Sequence, residues 1–389
     1  MISKDHKRHT DLAKPSLGYF GRNEWAIMGT DCTTIKSLSD KITAALSPIY
    51  KCAYVDAHHM HSDEKQVLPG HLAKGAAVEY TDHIYYHQVN TSLNFNSFQR
   101  RQVFNDVDLI LVNGNHHQAT SQVIIIDELK RSSLEKRIAQ LNNVELILLT
   151  DNSNGVFDFL IQHIHVENDL PVYNINETDR IVDFFLDKMC NAKPQLNGLV
   201  LAGGKSERMG MDKTEIKWYR KEQKYYLADM MKEYCHEVFI SCRKEQIKNI
   251  NHKYSVIEDS FMDLGPYGAI LSAFREKPDS AWMVIACDIP LIDRETISYL
   301  LENRNYSVIA TGFENPENGN PEPLITIWEP KSYPVLLSFL AQGYSCPKKV
   351  LKNSDINLLK CPNPESLLNV NTPEELKLVK QKLKQKITS

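Results

Sequence analysis

The stretch Gly198-Leu199-Val200-Leu201-Ala202-Gly203-Gly204-Lys205-Ser206-Glu207-Arg208-Met209-Gly210-Met211-Asp212-Lys213 leads from an apolar run through a glycine turn to three cationic side chains. Residues 198–202 read as a buried parallel strand, because both faces are apolar or small. Gly203 and Gly204 permit backbone conformations and a closeness of ligand approach that a Cβ would forbid. Lys205, Arg208 and Lys213 then supply positive charge, and an arginine fork matches phosphate oxygens in a way that a point charge does not. A strand, a glycine turn and clustered cations together describe a grip on a nucleoside triphosphate.

The 389-residue chain is too long for one ordinary core and fits two domains. A formal net charge of −4 gives no global basic field, so nucleic acid is not an expected partner. Eight cysteines without a C-x-x-C pair argue against a zinc ribbon or a disulfide scaffold, and point to a reducing, cytoplasmic setting. No run approaches the ~20 apolar residues of a membrane span, so no membrane partner is expected.

Apolar strands alternate with amphipathic helical stretches twice along the sequence, the pattern of two α/β units. The polar, proline-containing stretch Asn191-Ala192-Lys193-Pro194-Gln195 marks the seam, giving domains 1–193 and 194–389. In the second domain, strands are expected at 197–202, 237–242, 254–259, 282–287, 306–312 and 323–328. Helices are expected at 225–235, 266–276, 293–303, 332–342 and 373–386. In open α/β sheets ligands bind beyond the carboxyl ends of strands, and three further constellations fall at such ends.

The apolar run 282–287 delivers Asp288, ahead of Ile289-Pro290, to the end of a buried strand. A hard Mg²⁺ ion takes oxygen ligands, commonly one or two carboxylates plus substrate phosphates, so Asp288 is the expected metal ligand. The plainer reading is a cap for the helix starting near Arg294, or a turn before Pro290. Ile257-Glu258-Asp259-Ser260 ends another strand, and Gly265-Pro266 opens a helix whose first N–H groups face outward, as an anion prefers. Near the end, Asn369 and Asn371 alternate with Leu368 and Val370 as at a strand end, and Thr372-Pro373-Glu374-Glu375 reads as a helix start with capping-box spacing.

Residues 201–213 resemble the opening motif of the molybdenum cofactor guanylyltransferases, the MobA type, whose pattern is LAGG-x-x-x-RMG followed by Asp-Lys. Glu258-Asp259-Ser260, Gly265-Pro266-Tyr267-Gly268, Cys287-Asp288-Ile289-Pro290 and Asn369-Val370-Asn371-Thr372-Pro373 match further family elements. The resemblance implies a Rossmann-like nucleotidyltransferase domain with a mainly parallel sheet. It implies that Leu201, Ala202, Gly203 and Gly204 hold the guanosine, and that Arg208 and Lys213 hold the triphosphate. Asp259 and Gly265 are then nucleotide-binding, Asp288 holds Mg²⁺, and Asn369 and Asn371 lie beside the reacting phosphates. At the end of the second strand, where the family often has asparagines, this chain has Ser241-Cys242-Arg243, and Ser241 is the candidate replacement contact.

The implied reaction is transfer of GMP from Mg-GTP to the phosphate of molybdopterin, with loss of pyrophosphate. Arg208, Lys213 and Asp288 are the catalytic candidates, and no general base is required because a phosphate monoester is already ionised near neutral pH. Two alternatives stay open: a related enzyme using CTP on molybdopterin or acting on a sugar or alcohol phosphate, and a non-catalytic cofactor carrier. Molybdoenzyme apoproteins or cofactor-insertion proteins are the protein partners in view.

In the first domain, Trp25-Ala26-Ile27-Met28-Gly29-Thr30-Asp31-Cys32-Thr33-Thr34-Ile35-Lys36-Ser37 has the outline of a phosphate-binding loop. The Gly-Lys pair is missing: Thr34 and Ile35 stand in its place, and Lys36 comes one position late. Residues 53–61, 74–78, 108–115 and 144–151 resemble segments of the MobB type of GTP-binding protein, with Asn113 where that family has an acid. A degenerate P-loop-like α/β domain without triphosphate hydrolysis is expected. The clustered His58, His59 and His61, with His116 and His117, raise a metal site as a minor alternative.

Overall fold

The computed structural model describes residues 17–57, 68–164, 170–202, 221–370 and 373–388. The chain divides into two compact units, residues 16–192 and a second that contains residues 193–389. Among the described residues no helix is long and apolar enough to cross a membrane.

In the first unit, β1 (Glu24–Met28) is followed by α1 (Cys32–Leu46), β2 (Cys52–Val55), and the pair β3 (Val78–Asp82) and β4 (His87–Thr91). Then come α2 (Ser97–Val103), β5 (Leu109–Asn113), β6 (Ser121–Ile126), α3 (Arg131–Glu135) and β7 (Val144–Leu149). The unit closes with α4 (Asp158–Ile164), β8 (Val172–Asn174) and α5 (Thr178–Asn191). Its six-stranded sheet has the order β2-β5-β1-β6-β7-β8, and every pairing is parallel. The runs EWAIM and LILVN of β1 and β5 are buried throughout, as strands covered on both faces must be. β3 and β4 form a separate antiparallel hairpin.

In the second unit, β9 (Leu196–Leu201), α6 (Gln223–Met231), β10 (Val238–Cys242), β11 (Ser255–Glu258) and α7 (Pro266–Glu276) come first. β12 (Ala281–Ala286), α8 (Arg294–Glu302), β13 (Ala310–Glu314) and β14 (Pro321–Trp328) follow. The remainder comprises α9 (Ser332–Ala341), α10 (Pro347–Lys352), β15 (Ile356–Leu359) and α11 (Pro373–Thr388). The sheet runs β11-β10-β9-β12-β14-β13-β15. β14 is antiparallel to both β12 and β13, and the other pairings are parallel.

This sheet has a core on each face. On one, Val200, Met283 and Ile285 pack with Leu227 and Met231 of α6 and Ile297 and Leu300 of α8. On the other, Leu199, Trp282 and Trp328 pack with Tyr267, Ile270 and Phe274 of α7, Leu336 of α9 and Val350 of α10. β9 and β12 are central, so their apolar sequences are continuous and the first polar residues arrive at the strand ends.

Three local expectations change. The strand expected at 306–312 begins only at Ala310, because Asn305 turns the chain and accepts the Ser307 amide at 3.0 Å. α10 and β15 were not foreseen. Asn369 lies in an unpaired connection after the short 3₁₀ turn Pro364–Leu367, not at a strand end, since the Val370 amide is given to the Asp288 carbonyl at 2.8 Å.

Candidate active site

Four backbone hydrogen bonds align the carboxyl ends of the central strands. The Ala202 amide donates to the Ser241 carbonyl (3.2 Å), and the Cys287 amide to the Leu201 carbonyl (3.3 Å). The Asp259 amide donates to Cys242 (3.0 Å) and the Val370 amide to Asp288 (2.8 Å). Leu201, Ala202, Ser241, Asp259, Asp288 and Asn369 are thereby brought to one edge of the sheet, although they are spread over 169 residues of sequence. Gly203, Gly204, Lys205, Arg208, Lys213, Asn371 and Thr372 lie outside the described residues.

Asp288 sits in the turn after β12, held from both sides. The Ile289 amide donates back to Ala286 (3.3 Å), and Gln223 of α6, itself fully buried, donates its side-chain amide to the Ile289 carbonyl (3.4 Å). The plainer reading of Asp288 as a helix cap does not hold. Asp293 is the cap of α8, accepting the Thr296 amide at 3.0 Å and the Thr296 hydroxyl at 2.7 Å. Asp288 Oδ1 is sealed from solvent, and so is Asn369 Oδ1, which has no hydrogen-bond partner among the described residues. A buried amide oxygen left so among the described residues is an acceptor open to a ligand.

Asp259 and Ser241 form a second pair. The Ser241 hydroxyl donates to Asp259 Oδ1 at 2.5 Å, so this serine orients a carboxylate. Burial pushes the Asp259 carboxyl above the usual carboxylate range, while the Ser241 hydroxyl and the Arg243 charge pull it back. The chain then turns through Asp263 (φ 60°) and Gly265 (φ 56°) into α7, with Pro266 at its first position. Gly268 is needed for closeness: a Cβ there would lie 2.1 Å from the Phe261 carbonyl oxygen. Ser272, invisible as a functional residue in its apolar helix, accepts the Ser260 amide at 2.9 Å and ties this loop to α7.

At the corresponding place in the first unit, Gly29 takes φ 104° after β1. The Asp31 carboxylate then accepts the Thr33 amide (2.9 Å), the Thr34 amide (3.0 Å) and the Thr34 hydroxyl (2.7 Å). These helix-start amides are the donors that a phosphate loop offers its ligand, so an internal carboxylate occupies the anion position. His116 lies 3.3 Å from Cys32 Sγ, and His117 contacts the Asp56 carbonyl at 3.4 Å. His58, His59 and His61 lie outside the described residues, among which no group of three His, Cys, Asp or Glu side chains is arranged for a metal ion.

Residues 198–356, which run from β9 into β15, match the MobA-like NTP transferase domain. A probable molybdenum cofactor guanylyltransferase of Carboxydothermus hydrogenoformans is 30% identical over 187 residues, which are 45% of this chain and 90% of that protein. The molybdenum cofactor biosynthesis bifunctional protein of Synechocystis is 33% identical over 181 residues, 46% of this chain, and the match spans about half (52%) of that protein's length. The solved molybdopterin-guanine dinucleotide biosynthesis protein A of Archaeoglobus fulgidus is 22% identical, with 49% of this chain and 99% of that one covered at a TM-score of 0.43. The chain belongs to the molybdenum cofactor guanylyltransferase family.

Proposed function

We propose that the second unit transfers GMP from GTP to the phosphate of molybdopterin and releases pyrophosphate. The observation that carries this reading is the Val370-to-Asp288 hydrogen bond, which sets Asn369 alongside Asp288 at the end of β12. The sealed Asn369 Oδ1 and the Asp288 carboxylate are hard oxygen donors of the kind Mg²⁺ prefers, so these two residues would hold the ion. Bound there, Mg²⁺ would offset negative charge on the phosphates.

Everything else falls to the chain's own groups. Backbone around Leu201, Ala202, Gly203 and Gly204 receives the guanosine, and Arg208 and Lys213 balance the triphosphate charge. Asp259, set by Ser241 and followed by the Gly265 turn, contacts the nucleotide. Asn371 joins Asn369 beside the reacting phosphates. The acceptor phosphate needs no base, so positioning and charge neutralisation suffice.

Purified chain with Mg²⁺, molybdopterin and each of GTP, CTP, ATP and UTP tests the proposal through pyrophosphate release. GTP is expected to support it. Release with CTP alone would replace guanylyl by cytidylyl transfer, and no release with any nucleotide would favour a carrier.

Ser241→Ala probes the carboxylate pair. Without the hydroxyl, burial acts on Asp259 less opposed, so its proton is retained to higher pH. The KM for GTP should rise roughly tenfold, equivalent to about 1.4 kcal/mol for a hydrogen bond to a charged group. That defect should be largest on the acid side and shrink as pH rises and Asp259 ionises in both proteins. A KM defect independent of pH would separate Ser241 from the ionisation of Asp259.

A further inference from the structure

The first unit carries a cluster that nucleotidyl transfer does not use. Its strand order reverses at β1, between β5 and β6, and such a switch point opens a crevice at the carboxyl ends of the strands. Cys32, the first residue of the 15-residue helix α1, stands there. His116 Nε2 lies 3.3 Å from its sulfur and Asn115 Nδ2 lies 3.8 Å from it. Asp56 Oδ1 is 3.8 Å from the same histidine nitrogen, and is held by Asn113 Nδ2 at 2.9 Å. Cys32 opens onto a cavity of about 320 Å³, lined also by Thr30, Asp31, Lys130, Ser133 and Arg137.

Thiol exchange runs through the thiolate, so a base in contact and the positive end of a helix dipole both favour it. Asp31 is engaged with three donors of its own turn, and Asp56 lies against His116. Asp127 is hydrogen-bonded to Thr30. Lys130 and Arg137 bring positive charge to the cavity wall. Burial pushes the Cys235 and Cys242 thiols up to about 12 and Cys52 up to about 11. Cys190, at the negative end of α5, and Cys346 are exposed.

We propose that Cys32 is the reactive thiol of this chain, with His116 as its base, and that the cavity admits a small anionic disulfide. His116 takes the thiol proton and Cys32 Sγ attacks one sulfur of the disulfide. The disulfide bond breaks and its second sulfur leaves as a thiolate. Cys32 ends as a mixed disulfide, with one equivalent of small thiol released and the disulfide reduced.

The test treats the full native chain at neutral pH with the dianionic disulfide dithiobis(nitrobenzoate) or with dicationic cystamine, and reads each cysteine by peptide mass spectrometry. With the anionic reagent Cys32 should react about tenfold faster than Cys190, although Cys190 is the more exposed. His116→Gln should slow Cys32 about tenfold and leave Cys190 unchanged, and Lys130→Gln should lower the anionic-to-cationic rate ratio at Cys32 about threefold. Cys32 reacting no faster than Cys190 in the unaltered protein overturns the proposal, which needs no variant to fold. An unchanged Cys32 rate in a folded His116→Gln protein overturns it as well.

Discussion

Asp288→Asn is expected to lower pyrophosphate release by about 10³-fold while melting temperature and circular dichroism stay those of the unaltered protein. The substitution keeps the shape of the side chain and removes its charge, so the turn after β12 has no reason to move. Two contacts on this turn do not involve the carboxylate: the Asp288 carbonyl accepts the Val370 amide, and Gln223 holds Ile289. The cap of α8 belongs to Asp293, so no helix stability is lost with it. What would be lost is the formal negative charge that Asp288 brings to the end of β12, which in the proposed site meets the cation beside the phosphates. Binding of GTP, measured by equilibrium dialysis without acceptor, should weaken far less than turnover. Near-normal turnover in this variant would remove Asp288 from the reacting centre.

Much of this arrangement could be read from the sequence because the second unit brings its candidate residues to strand ends. The run Trp282-Met283-Val284-Ile285-Ala286-Cys287 announces its burial by composition, and Asp288 stands out as the first polar residue after it. Long-range pairing is not announced in this way. Asn369 comes beside Asp288 through a hydrogen bond across 82 positions, and the local alternation around it suggested a strand that does not form. Ser272 looked like one small residue in an apolar helix, yet it fastens the loop that follows Asp259. The cap of α8 is Asp293, directly before Arg294, a residue the reading of the sequence did not single out.

The first unit shows the opposite case. Loss of the Gly-Lys pair was legible as a defect in a phosphate loop, but not what replaced the ligand. Only geometry shows that the Asp31 carboxylate takes the amides of Thr33 and Thr34. The same is true of Cys32 and His116, which are 84 positions apart and meet because β1 and β5 are neighbours in the sheet.

Arg304→Met is expected to destabilise the second unit by about 3–5 kcal/mol, the cost of stranding a buried charge. Glu329 follows β14 and is fully buried. Arg304 meets it with both prongs of its guanidinium, Nε to Oε1 at 2.7 Å and Nη2 to Oε2 at 2.9 Å. The same Nη2 donates to the Pro194 carbonyl at 3.0 Å, two residues before β9. The pair therefore fastens the amino-terminal end of the strand whose other end leads into Gly203. Methionine fills much of the arginine stem's volume, so the dominant loss is electrostatic: a buried carboxylate loses the two guanidinium bonds of Arg304. Adding Glu329→Gln to Arg304→Met should recover about half of the loss or more, because the stranded charge is then gone. Urea unfolding followed through the transition that exposes Trp282 and Trp328 measures both variants. A loss below about 1 kcal/mol for Arg304→Met would mean that the pair behaves as an exposed ion pair despite its burial, and that the carboxylate is compensated from elsewhere in the fold.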